Sequence, residues 1–175
     1  MTDPLASKPV DQTLTNQCAL VTGGSRGIGV AVVKRLASAG APVAPTYSSS
    51  PERAGEGFKA AQAFGVHVLA VQADSADTGA VIAVVERTAS EPGGLDMLVN
   101  NAGILVTGPL RAFKLTDFDR TLAVSVRAVF GATPSAAAAS RMQAGGRETG
   151  PNRRQQNPGH RGLSRFAGGG IHAGI

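Results

Sequence analysis

Four short apolar runs punctuate the first 140 residues, and each leads into a stretch with large apolar residues three or four positions apart. Residues 19–22, 42–47, 66–72 and 95–99 read as strands. The last is almost wholly apolar, as a parallel strand buried on both faces should be. Pro42 falls at a strand start, where a missing N–H is tolerated. Between the strands the period changes to that of a helix. Val30, Val33 and Leu36 mark a helix over residues 27–38 with Gly40 as its stop, and a second runs from Pro51 to about Phe64 before Gly65. Val81, Val84 and Val85 mark a third over 77–89, facing inward. Residues 115 to about 142 are mostly helical through Phe118, Leu122, Val126 and Phe130. Pro134 is expected to kink or restart that helix, because proline removes a hydrogen bond and crowds the preceding turn.

Strands alternating with helices through short connections predict an α/β protein, a doubly wound parallel sheet with right-handed crossovers. The pattern ends after the fourth strand and its helix. The chain has 175 residues, of which 42% are hydrophobic, and a mean hydropathy near zero. That suits one soluble domain with a single core. The apolar runs are too short to span a bilayer. Residues 1–16 are polar, lack a secretory h-region and are expected to be flexible. The single cysteine, Cys18, opens a strand and reads as a buried structural thiol in a reducing compartment, the cytoplasm. No metal-ligating cluster stands out.

The net charge of +5 is not spread evenly: residues 1–140 hold eleven basic and eleven acidic residues, and residues 141–175 hold six Arg against Glu148. Nine of the 23 glycines also fall there. Domain organisation therefore reads as a flexible start (1–16), a folded unit (17–144) and a disordered basic tail (145–175).

Candidate chemistry clusters at the carboxyl ends of the strands. Gly23, Gly27 and Gly29, with Ser25, Arg26 and Ile28 between them, link the first strand to its helix. Such a loop lets backbone N–H groups approach a pyrophosphate closely. A glycine triplet alone could simply make a tight turn. An acidic residue about 20 positions on would grip the ribose 2′-hydroxyl of NAD. Counting from Gly29 reaches Ser49, within Tyr47-Ser48-Ser49-Ser50, and the first acid is Glu52. Hydroxyls and Arg26 favour the 2′-phosphate of NADP over NAD; the bland alternative is a solvated arginine and a serine turn. Asp74, in Ala73-Asp74-Ser75, ends the third strand and could instead cap the next helix, a role for which Asp77 competes. Asn101-Ala102-Gly103 ends the fourth strand, where a plain turn would use the same residues.

These motifs, in this order, resemble the short-chain dehydrogenase/reductase family. Thr46-Tyr47-Ser48-Ser49, residues 72–77 and Phe118-Asp119-Arg120 most resemble its 3-oxoacyl-acyl-carrier-protein reductase-like branch. The resemblance implies a Rossmann-like sheet of order 3-2-1-4 and an NADPH-dependent reduction of a small-molecule carbonyl. It also implies cofactor contacts at the glycine loop and Tyr47-Ser48-Ser49, at Asp74 and Ser75 near the adenine, and at Asn101, Ala102 and Gly103 near the ribose.

The chain departs from the family pattern in two places. Ser125 stands where relatives have an asparagine in the proton relay, and it is too short to replace that amide. The family's catalytic Tyr-x-x-x-Lys pair has no match, because the single tyrosine is Tyr47 and no lysine lies beyond Lys114. Activity near background is therefore expected, with no catalytic residue assigned. The abrupt Arg/Gly/Pro-rich composition suggests a frame shift near Arg147. Other readings are a non-catalytic dinucleotide binder and, remotely, a tail that binds nucleic acid. Relatives associate through the long helix and the one after it, so their homotetramer is not expected here.

Overall fold

The computed structural model describes residues 12–49 and 51–146. Of the tail expected from residue 145, Gly145 and Gly146 belong to the last helix; the expectations for residues 1–11 and for the rest of the tail, including the frame shift and the nucleic-acid arm, lie outside the described residues. β1 (Ala19–Val21), β2 (Val43–Tyr47), β3 (Val71–Gln72) and β4 (Met97–Val99) form one parallel sheet of order β3-β2-β1-β4. The helices between them are α1 (Gly27–Ser38), α2 (Pro51–Gln62) and α3 (Thr78–Ser90). After β4, α4 (Leu115–Leu122) passes through a π turn at Ala123–Arg127 into α5 (Ala128–Gly146). The doubly wound fold and the 3-2-1-4 order expected from the sequence are both present.

β1 lies at the centre, and its alternation divides the core. Leu20 faces α3 and α5 with Val81, Val84, Val85 and Leu95, while Ala19 and Val21 face α1 and α2 with Val33, Ala37 and Ala61. Successive strand residues point to opposite faces, so three buried residues serve two layers. The register aligns Ala19 with Val43 and Met97, and Val21 with Pro45 and Val99. β1 and β4 therefore end level, while β2 runs on to Tyr47, beside Gln72 of β3.

The third strand is shorter than the expected 66–72. Val43 donates to the His67 carbonyl and accepts from Leu69 N, and Tyr47 accepts from Ala73 N. Pro45 has the same parity, so its N–H would point at this neighbour, and proline has none. The pairing is reduced to a bridge at Val68 and the two residues of β3.

The last helix is present as expected, but two of its features were not read from the sequence. It does not restart at Pro134, since α5 runs through that position. The Thr133 and Ser135 hydroxyls donate to the carbonyls of Val129 (2.8 Å) and Gly131 (3.2 Å), on either side of the Phe130 carbonyl that loses its usual donor. The large periodic residues are also not its buried face. Leu115, Phe118, Leu122, Val126 and Phe130 are exposed, while Val124, Ala128, Ala132 and Ala136 are buried. α5 lies so close to α3 that a Cβ at Gly131 would overlap Thr78, and only small residues fit such a crossing. Residues 115–140 are long and apolar enough to cross a membrane by length and composition, which the apolar runs did not suggest.

Residues 12–16, assigned in sequence to the flexible start, pack on the domain. Gln12–Leu14 is a 3-10 turn, Leu14 N donates to the Ala39 carbonyl at 2.9 Å, and Leu14 rests against the core.

Candidate functional site: a dinucleotide-shaped cleft

A cleft of about 390 Å³ opens over the carboxyl ends of the strands. Its floor is the loop from β1 to α1. Gly23 has φ +66°, which favours glycine, and a Cβ there would lie 2.9 Å from Ala102 Cα. A Cβ at Gly29 would overlap the Gly23 carbonyl oxygen, so the turn closes only with hydrogen at that position.

Both neighbouring strands pin this loop. On the β2 side, Gly23 N donates to Thr46 Oγ1 (3.0 Å) and Gly24 N to the Thr46 carbonyl (2.8 Å). On the β4 side, the buried Thr22 hydroxyl accepts from the N–H groups of Asn101 (3.0 Å) and Ala102 (3.1 Å). Asn101 Nδ2 in turn donates to the carbonyls of Thr22 (2.9 Å) and Gly23 (3.0 Å). Asn101 thus holds the loop in place with its own amide.

α1 begins without a side-chain cap, since Arg26, the residue before it, makes no capping bond. The first N–H groups of a helix have no partners inside it, and together with the helix dipole they favour an anion. The start of α3 contrasts with this. Asp77 Oδ1 accepts from Gly79 N (2.9 Å) and Ala80 N (3.1 Å), which settles the competition for that cap in favour of Asp77. Asp74 is left facing the cleft. Its Oδ1 accepts from Ala76 N at 2.9 Å, and its Oδ2 from Arg120 Nη2 at 3.4 Å.

Thirteen of the fourteen residues singled out from sequence line the cleft: Gly23, Ser25, Arg26, Gly27, Ile28 and Gly29 on the floor, Tyr47, Ser48, Asp74 and Ser75 on one wall, Asn101, Ala102 and Gly103 on the other. Ser49 does not line it. The strand ends at Tyr47 and the chain bends at Ser48, so counting along an extended strand overshoots by one residue. Tyr47 also packs on Phe58 of α2, with ring centroids 6.2 Å apart. Sequence reasoning missed Thr46, Ala73, Ile104, Arg120 and Val124. Thr46 carried a usable signal, a polar residue inside an apolar strand; Arg120 and Val124 arrive from a helix about fifty residues beyond Asp74, which no local pattern reveals. Ser125 does not line the cleft. It is exposed on the π turn, with Oγ 3.8 Å from where a Cβ on Gly103 would sit.

The Cys18 thiol is not a nucleophile of this site. Burial, together with the carboxylates of Asp96 and Glu91, pushes its pKa up to about 11, so it stays protonated near neutrality.

Residues 17–148 match the family model for short chain dehydrogenase. The chain belongs to the short-chain dehydrogenase family. It is 40% identical over 112 residues to a 3-oxoacyl-acyl-carrier-protein reductase of Staphylococcus aureus, covering 64% of this chain and 46% of that protein. Among solved structures it resembles a short chain dehydrogenase from Burkholderia cenocepacia in complex with NADP, at 54% identity and a TM-score of 0.69, over 71% of this chain and 51% of that one. A blue fluorescent protein from a metagenomic library, in complex with NADPH, matches at 46% identity and a TM-score of 0.69, over 73% of this chain and 52% of that one. The chain spans about half the length of the relatives it matches.

Proposed function

We propose that this chain is the nucleotide-cradling part of a carbonyl reductase, binding NADP(H) in preference to NAD(H) and turning over little or no substrate by itself. The observation that carries the reading is the charge around the cleft. The uncapped start of α1 follows directly on Arg26, the wall at the end of β2 offers the Ser48 hydroxyl, and the one acidic lining residue, Asp74, is paired with Arg120. A 2′-phosphate meets donors there, where an NAD site would set a carboxylate against it. The bound cofactors of the Burkholderia and metagenomic proteins support the same preference.

The cradle leaves room for the group: Gly23 and Gly29 let the turn close on the protein's own backbone, and a Cβ at Gly27 would meet only open space. The amides at the start of α1 would hold the diphosphate, Arg26 and Ser48 the 2′-phosphate, and Asn101 the loop itself. When bound, a reduced nicotinamide supplies a hydride. This chain's own residues supply no partner for the proton step: Tyr47 is the single tyrosine, no lysine follows Lys114, and Ser125 replaces the relay asparagine. By likeness to the Staphylococcus reductase, the carbonyl reduced by a complete relative is a 3-oxoacyl thioester or a ketone. The single cysteine, Cys18, suits the reducing cytoplasm.

Titration of the purified chain with NADPH and NADH tests the reading. NADPH should bind more tightly, and Ser48→Asp should reverse the order by placing a carboxylate against the phosphate. Equal affinities in the parent chain would refute the preference, and robust NADPH oxidation with a 3-oxoacyl thioester would refute the lack of turnover.

A further inference from the structure

Thr46 stands where the floor of the cleft meets its wall. It is buried, yet it lines the cleft, and it accepts two bonds from the glycine loop. Gly23 N donates to its hydroxyl at 3.0 Å and Gly24 N to its carbonyl at 2.8 Å. Packing is tight beside these bonds: a Cβ on Gly24 would lie 2.6 Å from Pro45 Cβ. Residues 23 and 24 are therefore laid directly on Pro45 and Thr46 of β2. Two residues beyond Gly24 comes Arg26, and two residues beyond Thr46 comes Ser48, the cation and the hydroxyl assigned above to the 2′-phosphate. Ser48 is itself anchored, since its carbonyl accepts from Gln72 Nε2 of β3 at 3.0 Å. The gap between Arg26 and Ser48 then depends on how closely the loop is held to β2.

Two groups on separate segments read one anion well only when their separation is fixed before the anion arrives. We propose that Thr46 is a positioning residue that fixes this gap, and with it the preference for a 2′-phosphorylated dinucleotide. A dinucleotide without the 2′-phosphate makes no use of the gap. The inference rests on the dinucleotide reading above and places part of the selectivity on a buried residue that is not itself assigned to the phosphate.

The test compares the full chain with Thr46→Val, which keeps the branched shape and loses the acceptor, and with Thr46→Ser, which keeps the acceptor. Affinities for NADPH and NADH are measured by calorimetry or nicotinamide fluorescence, and exchange of the Gly23 and Gly24 amides by nuclear magnetic resonance. In Thr46→Val the preference for NADPH over NADH should fall about fivefold, the scale of one hydrogen bond to a charged group partly lost. The Gly23 amide should exchange faster in that variant. Thr46→Ser should restore both. A residue that merely supported the fold would weaken the two ligands in step. Gly24→Ala gives a second route to the same displacement should Thr46→Val not fold, because its methyl pushes the loop off Pro45 while the Thr46 hydroxyl stays. The preference should fall there too. An unchanged preference in Thr46→Val or Gly24→Ala, both ligands weakening in step, or a Thr46→Ser as unselective as Thr46→Val would each overturn the inference. A parent that prefers NADPH, with variants that keep its ratio, sinks this proposal alone. A parent that binds no NADPH, or binds NADH equally well, sinks the reading above with it.

Discussion

Cys18 sits at the start of β1, its N–H donating to Asp96 Oδ2 at 2.9 Å, and its thiol is held protonated up to about pH 11 in place of 9.0. Alkylation follows the thiolate, so at pH 8 the folded protein should react with iodoacetamide about a hundredfold more slowly than a free thiol, and catch up in denaturant. The same shift has a stability consequence of fixed sign. The unfolded thiol ionises first, so the folded state keeps its full advantage below about pH 9 and loses it as pH rises toward 11. Melting temperatures should decline across that window, and Cys18→Ser should flatten the decline. Gly29 is the sharper steric case. Gly29→Ala forces a methyl against the Gly23 carbonyl and should destabilise the fold by about 1–3 kcal/mol, read as a lower urea midpoint. The need for glycine at that position is legible in the spacing of the loop. The exchange of Ser49 for Ser48 at the cleft wall is not, because it depends on where the chain bends after β2.

At the scale of elements, the glycine loop is held by contacts 77 to 80 residues apart in sequence, between Thr22–Gly23 and Val99–Ala102. Asn101→Ala removes the two bonds to the Thr22 and Gly23 carbonyls and should cost about 1–3 kcal/mol. It should also weaken NADPH binding, because the loop that cradles the diphosphate is released. Retained stability with lost binding would mean that the amide meets the cofactor directly and does not serve as a staple. Local signals placed α1 and α3 to within a residue at each end: their apolar periods are clean and Asp77 marks the start of α3. They also placed the last helix, but not its buried face. Its largest side chains made the stronger pattern, yet the tight crossing with α3 selects the small face of Ala128, Ala132 and Ala136. The π turn before it was also invisible, since an i→i+5 turn has no composition of its own.

Across the whole molecule, Leu115, Phe118, Leu122, Val126 and Phe130 are exposed, as are Leu105 and Leu110 in the segment before α4. Among the described residues β4 ends the sheet. Exposed apolar side chains and a strand at a sheet edge each favour association with other chains. The purified protein should therefore associate with rising concentration in sedimentation velocity, without converging on a defined tetramer. Phe118→Ser with Phe130→Ser should shift it toward monomer while leaving NADPH affinity unchanged, since neither residue lines the cleft. A concentration-independent monomer in the parent would remove the basis for this expectation.

The order of strands and helices, the family and the glycine floor of the cleft all follow from patterns that span a few residues: period, turn chemistry, and glycines at fixed offsets. Those patterns report local conformation, and local conformation needs no knowledge of distant partners. The rest required the chain to be packed. Which face of the last helix is buried, why β3 is cut short by a proline on its neighbour, and how Arg120 comes to hold Asp74 each depend on contacts between segments far apart in sequence. Such contacts are selected by volume and hydrogen-bond geometry once the sheet has assembled, and no single segment encodes them.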